Sequence, residues 1–177
     1  MWSIDELQEV WQLASRLHNG QKYGGKIEYL NHIGSVTFEV LYAVNKDKII
    51  NAGLAIKCAV LHDTIEDTEQ SFEAVKELFG LEVANGVLAL TKNEKLDSKE
   101  KMMVDSLSRI KEQPKEIWAV KMADRICNLY APPYYWDTEK KIKYQKEAKL
   151  IHQELKEGNK YLAKRLESKI NDYSMYF

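Results

Sequence analysis

The segment Ile49-Ile50-Asn51-Ala52-Gly53-Leu54-Ala55-Ile56-Lys57-Cys58-Ala59-Val60-Leu61-His62 runs directly into Asp63-Thr64-Ile65-Glu66-Asp67-Thr68. Residues 49–62 are nearly all apolar, and a helix apolar all round belongs inside the protein. This part therefore reads as a buried central helix. Its end carries an imidazole and a carboxylate side by side, His62 and Asp63. Glu66 lies four residues after His62, and Asp67 four after Asp63, so a continued helical turn crowds all four groups together. Such a cluster at the end of an apolar helix is costly without a cation or substantial solvation.

Outward from this segment, most of the chain shows helical rather than strand periodicity. Ser3 with Glu6 forms a capping box opening a helix to about His18. Asn19 to Lys26, rich in Gly and Lys, reads as a loop. A second helix from about Asn31 to Asn45 places Val36, Val40, Leu41 and Val44 on one stripe. Ser71 caps a helix with Phe72, Val75, Leu78 and Phe79 inward, ended by Gly80. Residues 81–91 form another, and Asp97 caps one running to about Lys111. Pro114 stands near the start of a helix through Leu129, where its missing N–H costs little. Pro132-Pro133 ends that run. Residues 137–157 and 159–172 form two amphipathic helices joined at Gly158-Asn159. The expected fold is all-α. It is a single domain over 1–177 of about eight or nine helices, with its core in about 10–150 and a helical extension over 151–177.

The chain has 177 residues, 45% hydrophobic and 30% charged, which suits a folded globular protein. Its 26 basic and 27 acidic residues leave a net charge of −1. No bulk field favours a nucleic acid polymer or an anionic membrane. No apolar run approaches a membrane span, and the acidic N-terminus has no signal-peptide character. Cys58 and Cys127 stand alone in apolar helical contexts and read as reduced core thiols, which makes the cytoplasm the expected location. The oligomeric state is not legible.

Two further residues join the cluster. His32 stands at a helix start about thirty residues upstream. Asp124 lies inside Ala119-Val120-Lys121-Met122-Ala123-Asp124-Arg125, where an acid needs a partner. The ordered set His32, His62-Asp63, Asp124 resembles the metal ligands of the HD-domain phosphohydrolases. The likeness is closer to the hydrolase domain of RelA/SpoT-type alarmone enzymes and to the stand-alone small alarmone hydrolases. His62 to Thr68 is similar to their HDTVEDT, and Tyr29-Leu30-Asn31-His32 to their YxxH. Phe79-Gly80, Leu90-Thr91 and Lys121 to Leu129 follow in the family's order.

The resemblance implies one divalent ion, Mn²⁺ in such enzymes, held by His32, His62, Asp63 and Asp124. Such an ion acidifies water and polarises a phosphoryl oxygen. It implies Glu66 and Asp67 as the catalytic acid pair that orients or deprotonates the attacking water. It also implies a small nucleotide substrate, guanosine tetra- or pentaphosphate, losing pyrophosphate from its 3′ position. Asn128, Lys140 and Tyr144 match positions that meet the nucleotide. Lys22, Lys26, Lys99 and Lys101 are the other candidates for anion contact.

The sequence also departs from the family. His18-Asn19-Gly20-Gln21-Lys22-Tyr23 puts Tyr23 where the family has an Arg stacked on guanine, and Glu28 and Ile33 replace two prolines. Tyr23 can stack on any base but supplies no guanidinium. Tyr130 to Trp136 is unusually rich in Pro and aromatics, and Tyr134, Tyr135 or Trp136 can wall the pocket. Two other readings stay open: an HD phosphohydrolase of another nucleotide, such as a nucleoside monophosphate or the 2′-phosphate of NADPH, or a non-catalytic nucleotide-binding module.

Overall fold

The structure, a computed structural model, describes residues 2–47 and 51–177. Among these the chain is all-α apart from one short hairpin. The order is α1 (Ile4–Leu17), β1 (Lys22–Tyr23), β2 (Ile27–Glu28), α2 (Leu30–Lys46), α3 (Ala52–Leu61), the single turn α4 (Thr64–Asp67), α5 (Phe72–Phe79), α6 (Leu81–Leu90), α7 (Lys99–Lys111), α8 (Lys115–Asn128), α9 (Thr138–Leu155) and α10 (Lys160–Asp172). Ile49 and Ile50, the expected start of the central helix, lie outside the described residues. None of the described helices is long and apolar enough to cross a membrane.

Local signals set the helix ends. Ser3 and Glu6 form the expected capping box of α1. The side chains of Asn51, Ser71 and Asn159 cap α3, α5 and α10. Each such cap contributes about 1 kcal/mol. Three expectations need correction. Asp97 is not the cap of α7: Ser98 Oγ accepts the Lys101 amide, and Asp97 instead pairs with the Lys101 ammonium. Leu78 does not face inward but is 58% exposed, because only Val75 on α5 reaches the core fully. The Gly-rich loop holds an antiparallel hairpin, pairing Lys22 with Glu28 and Tyr23 with Ile27. Gly24 and Gly25 turn it at φ of 59° and 83°, a region glycine enters without steric cost.

The core forms around α3 and α8. α3 packs on α1, α2, α6 and α8, and α8 packs on α2, α7, α9 and α10 as well. The Asn51 amide donates to Glu116 Oε1 at 2.7 Å, tying the start of α3 to the start of α8. The two helices therefore run side by side in the same direction, and their C-terminal ends share one region. One cluster of buried residues extends from Val10 to Tyr173 and includes Ile151, Leu155, Leu162 and Leu166 of α9 and α10. On α8, Ile117, Met122 and Ile126 are fully buried, each stabilising the fold by about 1.5–3 kcal/mol. That burial offsets the cost of the Lys121, Asp124 and Arg125 side chains that α8 also carries inward.

Gly86 marks a close approach of α6 to this pair. A Cβ there would meet Ile117 Cδ1 at 2.6 Å and Cys58 Sγ at 2.8 Å. Both neighbours are fully buried and have nowhere to swing. Overpacking of this kind costs about 1–3 kcal/mol, against a helix-propensity gain of at most about 1 kcal/mol. Gly86→Ala should therefore lower the denaturation midpoint. An unchanged or raised midpoint would show that α3, α6 and α8 can part without loss.

Candidate metal centre and active site

Three helices deliver imidazoles and carboxylates to one point. His32 stands in the first turn of α2. His62 and Asp63 follow the last residue of α3, and Asp124 lies near the end of α8. His32 Nε2 is 3.3 Å from His62 Nε2, 3.7 Å from Asp63 Oδ2 and 3.5 Å from Asp124 Oδ1. His62 Nε2 is 2.9 Å from Asp63 Oδ2. One donor atom each from His32, His62 and Asp124 lies within 4.8 Å of the others. Asp63 stands outside that three-way group but touches both imidazoles through Oδ2.

These spacings suit a cation. Ligands held about 2.1 Å from one ion lie about 3.0–3.5 Å from each other, the edge of an octahedron or tetrahedron. Two imidazole nitrogens facing each other at 3.3 Å repel unless a proton or a metal stands between them. His62 Nδ1–H donates to the Ala59 carbonyl at 2.8 Å, which turns Nε2 toward the other donors.

The surrounding contacts orient the carboxylates. Tyr29 Oη donates to Asp63 Oδ2 at 2.6 Å. Tyr29 stands at the N-cap of α2 but makes no side-chain capping bond; its hydroxyl serves the cluster instead. Lys121 Nζ donates to Asp124 Oδ2 at 3.1 Å, and Asn128 Nδ2 to Oδ1 at 2.5 Å. Tyr23 Oη donates to Asn128 Oδ1 at 2.8 Å, and its ring stacks on His32 with centroids 5.0 Å apart and planes 4° apart. The hairpin thus brings Tyr23 onto the cluster. Burial opposes charge on His62, but Asp63, then Asp124 and the Ala59 carbonyl, push its pKa up to about 9. Burial alone would raise Asp63; the His62 and His32 rings hold it well below the usual carboxylate range. Asp124 is likewise held low against burial, chiefly by Lys121.

The acid pair lies one turn beyond. The Lys92 amide donates to Glu66 Oε2 at 2.8 Å, and the Lys92 ammonium pairs with Oε1. Asp67 is exposed and accepts from Gln21 Nε2 at 3.1 Å. His18 Nδ1 donates to Gln21 Oε1 at 2.6 Å and so fixes which way that amide faces. On α9 and the loop before it, Trp136 meets Tyr144 edge-on at 5.0 Å, with Lys140 Nζ 4.5 Å from the indole and the Arg125 guanidinium 4.1 Å from the Tyr144 ring. Tyr134 and Tyr135 are exposed.

The structure therefore brings His32, His62, Asp63, Asp124, Asn128 and Tyr23 together. It does not bring in every lysine. Lys22 pairs with Glu28 across the hairpin and Lys101 with Asp97. Among the described residues no hydrogen bond or ion pair joins Lys22, Lys26, Lys99 or Lys101 to the cluster. Tyr29, Lys92, Gln21 and Lys121 went unassigned from sequence. Lys121 carried a legible signal, a basic residue three before Asp124 on an apolar helix. Lys92 carried none, since its partner is 26 residues away.

The HD domain family matches residues 10–161. The chain belongs to the HD-domain family. It is 31% identical over 134 residues to a guanosine-3′,5′-bis(diphosphate) 3′-pyrophosphohydrolase of Spiroplasma citri, which covers 72% of this chain and 17% of that protein. The chain thus spans about a sixth of that relative's length. It is 27% identical over 170 residues to the guanosine-3′,5′-bis(diphosphate) 3′-pyrophosphohydrolase MESH1 of Drosophila melanogaster, covering 92% of this chain and 91% of the fly protein. A solved metazoan ortholog of SpoT, described as hydrolysing ppGpp, superposes with a TM-score of 0.84 at 25% identity over 97% of both chains.

Tyr29 gives a local test of the centre. Tyr29→Phe removes only the hydroxyl bound to Asp63. Loss of such an orienting contact weakens metal binding about 10–100-fold. Titration of the metal-free protein with Mn²⁺ should show that loss, with secondary structure unchanged by circular dichroism. Affinity equal to wild type would remove Asp63 or its hydroxyl partner from the centre.

Proposed function

We propose that this HD-domain protein is a metal-dependent phosphohydrolase that removes the 3′-pyrophosphate of guanosine tetra- or pentaphosphate. The observation that carries the reading is the convergence of His32, His62, Asp63 and Asp124 one turn from Glu66 and Asp67. The fly and Spiroplasma relatives, both named for that reaction, support the substrate. We assign the first four residues as ligands of one divalent ion, Mn²⁺ by the mixed imidazole and carboxylate donor set. When bound, such an ion lends Lewis acidity to a phosphoryl oxygen and makes water more acidic.

The chain's own residues do the rest. Glu66 and Asp67 orient a water molecule and take its proton. The water oxygen bonds to the 3′ phosphorus, the bond from phosphorus to the 3′ oxygen breaks, and that oxygen leaves as the nucleoside hydroxyl, taking the proton that the acid pair received from the water. Asn128, fixed between Asp124 and Tyr23, presents its amide to the ribose and phosphate region. Tyr144, Trp136 and Lys140 line the nucleotide side. Lys22, Lys99 and Lys101 attract a polyanion at longer range. We read residues 1–177 as a single unit, on the support of one continuous core, and as acting in the cytoplasm.

Purified protein with Mn²⁺ and guanosine tetraphosphate should yield guanosine diphosphate and pyrophosphate in equal amounts. Absence of both products overturns the substrate. A second reading rests on Tyr23, whose hydroxyl is already bound to Asn128 and reads no base edge. A screen that includes NADPH and nucleoside monophosphates, ranked by kcat/KM, decides between them.

A further inference from the structure

We infer that Lys92 is a positioning residue for the reaction, holding the Glu66 carboxylate in one orientation from a backbone that Arg109 clamps in place. The juxtaposition is double. The backbone N–H of Lys92 takes one oxygen of Glu66 at 2.8 Å, and its own ammonium takes the other. Two donors on two oxygens stop the carboxylate from rotating about its last bond, which a single ion pair does not. An exposed ion pair is worth about 0–1 kcal/mol and tolerates many geometries. Here the Glu66 side chain is only 15% exposed, so its geometry is set by these partners rather than by solvent.

The platform under Lys92 is equally determined. Lys92 follows the C-terminal end of α6, where backbone carbonyls lack helical partners. Arg109 of α7 supplies them: Nη1 donates to the Leu88 and Ala89 carbonyls at 2.6 and 3.1 Å, and Nη2 to Thr91 at 2.7 Å. Arg109 Nε is in turn held by Asp105 Oδ2 at 2.9 Å. The residue just before Lys92 is thereby fixed, and the direction of the Lys92 N–H with it. Two helices that hold no ligand of the centre thus fix one of its acids.

Burial opposes the charge on Lys92, but Glu66 first, and then Asp63 and Asp124 through their charge, hold the pKa of its ammonium above the ordinary value. Its removal takes positive charge away from the centre, so metal binding should not weaken. This separates the proposal from a general loss of the site. The kinetic arm rests on the proposed function; the exchange arm does not.

The test uses the full chain with Lys92→Met, Lys92→Arg and Glu66→Ala. In metal-free protein, amide exchange at residue 92 should be at least about tenfold faster in Glu66→Ala than in wild type. An unchanged rate overturns the proposal whether or not any substrate is found. With Mn²⁺ and guanosine tetraphosphate, Lys92→Met should lower kcat about 10–100-fold. Its KM should stay within about twofold and its Mn²⁺ affinity should be no weaker than wild type. Lys92→Arg should recover most of kcat, since a guanidinium can still reach the carboxylate. An unchanged kcat, or a raised KM with kcat intact, overturns the positioning role. If the wild-type protein turns over no guanosine tetraphosphate, the proposed function fails and amide exchange still judges Lys92.

Discussion

Asp124→Ala is expected to emerge from purification without its metal and with activity reduced by more than about a thousandfold. The argument is geometric before it is chemical. Asp124 is the only acid α8 sends to the cluster, and its Oδ1 stands 3.5 Å from His32 Nε2. Its other oxygen holds Lys121, whose side chain is only 11% exposed. Deleting the carboxylate removes a proposed ligand and also leaves a buried ammonium unpaired, which costs about 3–5 kcal/mol. Loss of the ion removes both charge neutralisation at phosphorus and water activation, effects that separately reach about 10²–10³ in rate. Asp124→Asn keeps the shape but not the charge, and its amide oxygen can accept from only one of Lys121 and Asn128. It should fold more stably than Asp124→Ala and still lack metal. Elemental analysis decides: wild-type metal content in either variant would show that residue 124 is not a ligand.

How far the sequence foretold this arrangement depended on distance along the chain. Residues 52–61 were legible as a central helix because apolar character all round admits no other place. Ser3, Ser71 and Gly80 announced helix ends through short-range chemistry. Asp97 misled because a neighbouring Ser competes for the same cap, and the hydroxyl of Ser98 reaches the Lys101 amide while Asp97 pairs with its ammonium. The Gly24-Gly25 turn hid a hairpin with strands of two residues each, too short to show alternation. In the site, His62, Asp63, Glu66 and Asp67 were adjacent and needed only a helical turn to cluster. The arrival of His32 and Asp124 was suggested by family order, not by periodicity. What stayed hidden was the supporting set: Tyr29 reaching Asp63 across 34 residues, Gln21 reaching Asp67 across 46, and Lys92 reaching Glu66 across 26. Such contacts come from tertiary packing, and no local pattern encodes them.

Metal affinity should rise steeply with pH, by about tenfold per unit from near 6.5 to about 9, and then level off. In metal-free protein the His62 pKa stands at about 9, against an ordinary 6.5, because Asp63 and Asp124 outweigh burial. A cation entering the cluster must displace the proton on His62 Nε2, and one proton released per ion gives that slope. Stability of the metal-free form moves the other way. A raised folded pKa means the contribution of His62 is fully present below about 6.5 and is lost as pH climbs through 9. Asp63 and Asp124 are held low, so their contribution is present above the ordinary carboxylate range and lost only in acid. Between pH 6.5 and 9 the chelated protein should therefore lose thermal stability while protein with excess Mn²⁺ gains relative to it, the gap widening with RT ln(1 + [metal]/Kd). Paired thermal melts with and without chelator measure both slopes at once. Parallel curves across that interval would mean that no proton leaves His62 when metal binds, and the raised pKa of its imidazole in the metal-free protein would be overturned.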